Sequence, residues 1–320
     1  MGLVIKGKKP DIKKQTKAEK IINKTPVLKK KKVENLTIDG MYKYRNDMME
    51  KMYANLTKLD LGTVYKMSDP LVPTKIKRVL PTGLVEFDII CARTPAGRSG
   101  FPIGRQVEIY GPPGCGKTSI ACQVAGSVQK RLGWGVTWLE FENKFDPDRA
   151  KLLGMDTDSA LFLQPECLED CIDIILEVLE NTPERNKLPD DMKHFGNLII
   201  VDSVSQMPSR PELLSKKGMD SNNIGVFQRK MSQAQRRITN ALSKRNVTIM
   251  WVNQTRAKLG FGFGSGGEMT TTYGGNALKF AVAQRWNMWS QKKGDNGMLI
   301  HFVNQKNNGC GMRPFLKAEA

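Results

Sequence analysis

The residues from Gly111 to Thr118 read Gly-Pro-Pro-Gly-Cys-Gly-Lys-Thr and fit the pattern GxxxxGK[ST]. Glycine at three of these places lets the backbone curl until successive N–H groups face an anion. A helix starting at the motif adds its positive end. Lys117 then reaches the outer phosphates of a nucleotide, and Thr118 offers a hydroxyl to Mg²⁺. Gly111, Pro112, Pro113, Gly114, Cys115, Gly116, Lys117, Thr118 and the following Ser119 are the candidate nucleotide-binding residues. A second element agrees with this chemistry. The apolar run Asn197-Leu-Ile-Ile-Val ends in Asp202. A carboxylate at the end of a buried strand can hold Mg²⁺ through water. Hydrolysis also needs a group to orient or deprotonate water. Glu140 and Glu142 both qualify: at alternate positions of one strand they share a face, and residue chemistry alone does not choose between them.

The elements that must position these residues follow from the apolar pattern. Strands are predicted at Val107–Tyr110, Val136–Glu142, Ala160–Leu163, Asn197–Val204 and Val247–Asn253. Helices are predicted near Lys117–Arg131, Pro147–Leu153, Leu168–Leu179 and Gly225–Lys244. Such alternation implies an α/β fold with a mainly parallel central sheet flanked by helices. After Gly274 the chain reads as strands, at Arg285–Trp289, Met298–Val303 and Pro314–Lys317. Before this core, Met41–Leu59 carries apolar residues at helical spacing and Gly62–Met67 is strand-like. The expected organisation is a basic tail at 1–33, a small N-terminal helix–strand module at 34–77 and a core at 78–320.

Composition narrows the partners. The chain has 50 Lys and Arg against 32 Asp and Glu, a net charge of +18. That surplus suits a polyanion. More than half of it sits before Val33, where twelve lysines face only Asp11 and Glu19. The Lys29–Lys32 run fits a nuclear address as well as a non-specific hold on DNA, and a solubilising tail has the same composition. No apolar run is long enough to span a membrane, and no signal peptide opens the chain. Six cysteines without a CxxC pair read as free thiols of a reducing compartment, so the expected location is cytoplasmic.

Further stretches carry a resemblance. Pro81-Thr-Gly-Leu-Val-Glu-Phe-Asp88 precedes the phosphate loop. Glu140-Phe-Glu-Asn-Lys-Phe-Asp-Pro147, Val201-Asp-Ser-Val204, Met231-Ser-Gln-Ala234, Val252-Asn-Gln254 and Thr270-Thr-Thr-Tyr-Gly-Gly-Asn-Ala-Leu-Lys-Phe280 follow in order. Together they resemble the RecA family of ATP-dependent recombinases, closest to its bacterial and phage branch, over roughly residues 41–315. The resemblance implies a RecA-type phosphate-loop core using ATP and Mg²⁺, with Thr118 and Asp202 at the metal. It makes Glu142 the general base, with Lys117 and Gln254 as its catalytic companions; Gln254 would sense the γ-phosphate. Asp146 falls where the family contacts adenine, and Arg149 replaces the family's aromatic platform. A guanidinium plane can also stack on a base.

The same resemblance places Arg229, Ser232 and Arg236 at the DNA backbone. A first DNA loop, about Pro208 to Asn223, holds Arg210, Lys216, Lys217 and Gly218. The second, about Thr255 to Gly275, is glycine-rich and interleaves Arg256, Lys258, Leu259, Phe261, Phe263 and Tyr273. Basic residues there can follow phosphates while apolar tips stack on or wedge between bases, without reading sequence. Arg256, Lys258, Leu259, Phe263, Gly274, Gly275 and Asn276 complete the expected DNA contacts. Lys279, Phe280 and Lys306 match positions that reach the ATP of a neighbouring subunit. The implied partners are single-stranded DNA, homologous duplex DNA, further copies in a helical filament, and single-strand-binding and loading proteins. With the sequence ending at Ala320, no counterpart of the bacterial C-terminal domain is expected, and the basic tail would recruit duplex in its place. A hexameric RecA-fold helicase and a non-exchanging recombination mediator are the alternatives.

Overall fold

The computed structural model describes residues 37–59, 64–69, 72, 76–94, 97–192, 194–214, 225–257, 270–293, 297–308 and 317–319. The chain divides into two compact units, residues 1–72 and 73–320. In the first, helix α1 (Ile38–Thr57) starts at Thr37, whose Oγ1 accepts a hydrogen bond from the Gly40 N–H at 3.2 Å. No residue of α1 is buried within the chain, and Met41, Tyr42, Met49 and Leu56 are exposed. Val64–Lys66 form no ladder, and a turn closed by the Asp69 N–H on the Lys66 carbonyl follows. The strand expected at Gly62–Met67 is therefore not formed over its described part. A strand needs a partner edge, and this unit supplies none among the described residues.

The second unit opens with β1 (Val79–Leu80), α2 (Val85–Ile90), β2 (Ala92–Arg93) and β3 (Ser99–Pro102), a small sheet in the order β1-β3-β2. The core then runs β4 (Gln106–Gly111), α3 (Lys117–Leu132), β5 (Gly135–Glu140), α4 (Pro147–Leu152), β6 (Ala160–Leu163), α5 (Leu168–Asn181), β7 (Asn197–Asp202), α6 (Arg210–Leu214), α7 (Val226–Leu242) and β8 (Val247–Ala257). It ends with β9 (Thr270–Thr272), α8 (Gly275–Ala281), β10 (Gln284–Lys293), β11 (Gly297–Asn307) and β12 (Lys317–Glu319).

Among the described residues, the main sheet has the order β12-β11-β10-β4-β8-β7-β5-β6, with β9 paired to the end of β8. The pairs from β10 to β6 are parallel, and β11, β12 and β9 add antiparallel ladders. The central strands β4, β5 and β7 are buried almost throughout, as expected for a sheet covered on both faces. One face packs under α3, through Ile120, Val124, Ala125 and Val128, at helical spacing. The other packs under α5 and α7, whose stripes Leu168–Cys171–Ile172–Ile175–Leu179 and Phe227–Met231–Ala234–Ile238–Leu242 are buried. Gly126 lets α3 come so close to the turn after α4 that an added Cβ would stand 2.2 Å from the Gly154 carbonyl oxygen. Two details differ from the sequence pattern. The stretch after Gly274 begins with α8, and β8 runs past Asn253 to Ala257 because β9 gives its end a partner. Among the described residues no helix is long and apolar enough to cross a membrane.

Candidate active site and nucleic-acid interface

The phosphate loop joins the carboxyl end of β4 to the start of α3. At Gly111 a Cβ would stand 2.0 Å from the Met288 carbonyl oxygen, so β4 can reach the site only with glycine there. Gly116 caps α3 in the left-handed region, at φ 88°. Lys117 is buried and its Nζ donates to the Pro112 carbonyl at 2.7 Å and the Gly111 carbonyl at 3.3 Å. Cys115 lies buried beneath it, and burial pushes its thiol above the ordinary range, opposed by the charge of Lys117. Thr118 Oγ1 donates to Asp202 Oδ2 at 2.7 Å, which brings the two expected Mg²⁺ positions together at the carboxyl edge of the sheet. The oxygens of a hydroxyl and a carboxylate suit Mg²⁺, a hard cation that prefers oxygen ligands and retains several waters. Burial pushes the Asp202 carboxyl up to about 7; the Thr118 hydrogen bond opposes this, and the nearby Glu140 and Glu142 add to it.

The structure separates the two glutamates that the sequence leaves equivalent. Strand β5 stops at Glu140, so they do not share a strand face. Glu140 is buried and serves its own loop: its carboxylate accepts from Trp138 Nε1 at 3.1 Å and from the backbone N–H groups of Glu142 at 3.1 Å and Lys144 at 3.2 Å. The chain turns sharply there, with Asn143 at φ 54°. This turn carries Glu142 toward β7 and β8. Its Oε1 accepts from Ser203 Oγ at 2.5 Å and from Gln254 Nε2 at 2.7 Å. Glu142 and Gln254, 112 positions apart, are thus in direct contact.

Asp146 caps α4, its Oδ1 accepting from the N–H groups of Asp148 at 3.0 Å and Arg149 at 3.2 Å. Arg149 lies across the start of α3, with Nη2 donating to Ser119 Oγ at 3.4 Å. Both are exposed beside the phosphate loop.

Gln254 also starts the stem of the glycine-rich segment. Asn253 Nδ2 donates to the Tyr273 carbonyl and to Glu108 Oε1, both at 2.9 Å. Its Oδ1 accepts from the Gln254 N–H at 2.9 Å. Glu108 is fully buried and paired with Arg285 Nε. Arg285 Nη2 reaches Thr272 Oγ1 at 3.2 Å, and its guanidinium lies 4.5 Å from the Tyr110 ring centre. Arg256 is exposed at the end of the stem, 5.0 Å from the Tyr273 ring centre. Gly274 and Gly275, at φ 87° and 67°, start α8, and a Cβ on Gly275 would stand 3.1 Å from Gln228 Cγ. Asn276 is exposed there. Lys258, Leu259 and Phe263 lie outside the described residues, as do Lys216, Lys217 and Gly218. Arg229 and Arg236 are exposed and Ser232 half-buried on the side of α7 away from its apolar stripe. Arg210 instead pairs with Asp170 of α5. Phe280 is 78% exposed. Lys279 Nζ donates to Thr271 Oγ1 at 2.9 Å, and Lys306 Nζ caps the end of α8 through the carbonyls of Lys279 at 3.0 Å and Phe280 at 2.8 Å. Burial, then Arg285, pushes the Lys306 ammonium below its ordinary range.

Residues 49–298 match the model of the RecA N-terminal domain. The chain belongs to the RecA family. It is 35% identical to Protein RecA of Nocardioides sp. over 243 residues, which is 75% of this chain and 62% of that one. Protein RecA of Leptospira meyeri is 34% identical over 237 residues, 74% of this chain and 54% of its own. Protein RecA of Kineococcus radiotolerans is 36% identical over 224 residues, 70% and 57% respectively. The matches thus cover 54–62% of the length of these relatives. Within this RecA-family core, sequence reasoning misses Ser203 as the second donor to Glu142, although its place directly after Asp202 was a signal. It also misses the Glu108–Arg285–Asn253 network, whose members lie too far apart in sequence to suggest contact.

Proposed function

We propose that this chain is an ATP-dependent recombinase that assembles on single-stranded DNA, pairs it with homologous duplex and exchanges strands. In this reading a water attacks the γ-phosphorus of ATP, its proton passes to Glu142 and the bond to ADP breaks, yielding ADP and phosphate. Lys117 moves from the loop carbonyls to the outer phosphates. Thr118 and Asp202 hold Mg²⁺, whose charge offsets that of the phosphate oxygens. Asp146 and Arg149 lie against the base. Arg229, Ser232, Arg236, Arg256 and Gly274–Asn276 flank the DNA, joined by Lys258, Leu259 and Phe263. Lys279, Phe280 and Lys306 reach the nucleotide of the next subunit. The single observation that carries the reading is the 2.7 Å hydrogen bond from Gln254 to Glu142, because Gln254 also begins the stem of the glycine-rich segment. One residue therefore holds the proposed water-activating group with its side chain and continues through its backbone into the segment proposed to face DNA.

Filament growth is supported by exposed apolar residues on α1 and by β6, an edge strand among the described residues, where Leu161 and Phe162 are exposed. An element donated head-to-tail to such an edge generates a helix of subunits. We assign residues 34–77 to that contact, 78–320 to catalysis and DNA binding, and 1–33 to duplex recruitment. The test is ATP hydrolysis with and without single-stranded DNA, run beside Glu142→Gln. Strong stimulation that is lost in Glu142→Gln is the expected result. Hydrolysis indifferent to DNA would break the link and favour a mediator.

A further inference from the structure

The amino edge of the sheet, opposite the phosphate loop, gathers arginines from four distant stretches. Arg105 precedes β4, Arg245 precedes β8, Arg78 precedes β1 and Arg185 sits in the connection between α5 and β7. Backbone bonds bring these stretches together: the Ile103 N–H meets the Arg78 carbonyl, the Gly104 N–H meets the Val247 carbonyl, and the Arg185 N–H meets the Lys244 carbonyl. Arg105 Nη1 donates to the Gly104 carbonyl at 2.8 Å. A Cβ on Gly104 would stand 3.0 Å from Arg185 Nη2, so two guanidiniums flank one glycine turn. Arg78 Nη1 lies 3.4 Å from His194 Nδ1, at the rim.

The partners of Arg185 and Arg245 are neutral. Arg185 donates to Asn246 Oδ1 at 2.8 Å and to the Arg245 carbonyl at 3.0 Å; Arg245 donates to the carbonyls of Thr182 at 2.9 Å and Ala241 at 2.8 Å. Among the described residues, neither of these two arginines makes an ion pair. A guanidinium carries five N–H donors. Arg185 Nη1 and Arg245 Nη2 meet no protein acceptor among the described residues. Burial, then the charges of Arg78 and Arg105, pushes Arg185 below its ordinary range. Like charges held together at a half-buried site repel, and an anion placed among them removes that repulsion while accepting the remaining donors in the planar fork geometry that suits phosphate. Glu184 faces Lys187 at 3.8 Å, and Asp190 and Asp191 are exposed in the same connection.

We propose that Arg78, Arg105 and Arg185, with Arg245 behind them, form a second phosphate site that takes the backbone of nucleic acid at the amino edge of the sheet. The six-residue strands separate it from the phosphate loop by about 20 Å, so one nucleotide cannot fill both. The inference rests on reading the chain as a DNA-binding protein and adds a contact remote from the two DNA loops.

The test places a photo-crosslinking residue at His194, and in a second protein at Gln228 beside Gly275 as the control for the loop surface. Each protein is irradiated with duplex DNA. A DNA adduct at both positions is expected. An adduct at 228 but not at 194 overturns the second site and leaves the proposed function standing. No adduct at either position overturns both. Arg105→Gln supplies an independent arm that spares the buried bonds of Arg185. The plot of log affinity for duplex against log salt should lose about 0.9 of its slope for the lost phosphate contact. An unchanged slope overturns the proposal. Protection of the fold by inorganic phosphate without a DNA adduct at 194 would mark a free-phosphate site and overturn the nucleic-acid assignment.

Discussion

Replacing each of the two glutamates in turn by glutamine tests whether the chain divides support and chemistry between them. Glu140 is 3% exposed and accepts three N–H groups. In Glu140→Gln the remaining oxygen can keep the two backbone donors, but the new NH₂ group faces the Trp138 indole N–H, donor against donor. Trp138 is fully buried and finds no water instead. Losing a hydrogen bond to a charged acceptor costs about 1.5–3 kcal/mol, and stranding the buried donor about 1–3 more. A loss of about 3–5 kcal/mol lowers the midpoint of thermal unfolding by roughly 6–20 °C for a core of this size. Glu142 is half-buried, and Glu142→Gln retains an acceptor for Ser203 or Gln254. Stability should change by only about 1 kcal/mol, while ATP hydrolysis falls about 10²–10⁴-fold with the proton acceptor gone. Thermal unfolding gives the first quantity, and DNA-stimulated phosphate release, measured well below both midpoints, gives the second. The assignment is refuted if Glu140→Gln unfolds like the parent yet stops hydrolysing ATP, or if Glu142→Gln hydrolyses at the parent rate.

Gly126→Ala drives a methyl group into the Gly154 carbonyl and should cost about 2–3 kcal/mol, read by urea unfolding; a neutral result would mean that α3 and α4 are not so closely packed. Arg285→Leu strands the fully buried Glu108 and should destabilise by about 3–5 kcal/mol, with Glu108→Gln in the same chain recovering part of it. If the double variant is no better than the single one, the buried charge is not the cause. Burial pushes the Cys122 thiol up to about 12 from 9.0, so the unfolded chain releases this proton first and stability is lost as pH rises from about 9 toward 12. Cys122→Ala should flatten that alkaline loss, and identical slopes in the two proteins would contradict it.

The carboxyl-edge site was legible where its residues are adjacent in sequence or end an apolar run. The phosphate loop follows a strand and opens a helix, and Asp202 ends β7. The division between Glu140 and Glu142 was not, because alternate spacing implies a continuing strand while the chain turns at Asn143. Helix α8 spans seven residues, too few to show a period, and the glycines that start it look like loop. The end of β8 is a strand because β9 lies beside it, a pairing that no local pattern announces. The arginines of the amino edge come from positions 78, 105, 185 and 245, so only the fold makes them a group. Helix α1 shows its apolar spacing clearly, but what covers that face is not a local property.

Under the proposed function, the double hold on Glu142 Oε1 aims the carboxylate. With that oxygen tied to Ser203 and Gln254, Oε2 is the one left to take a proton from water. Losing either bond would cost about 1.5–3 kcal/mol of that aim, equivalent to a change of roughly 10- to 150-fold in rate. The far end of β8, which carries Gln254, is then a sight as well as a stem: whatever pulls on it would swing the carboxylate, and the rate with it.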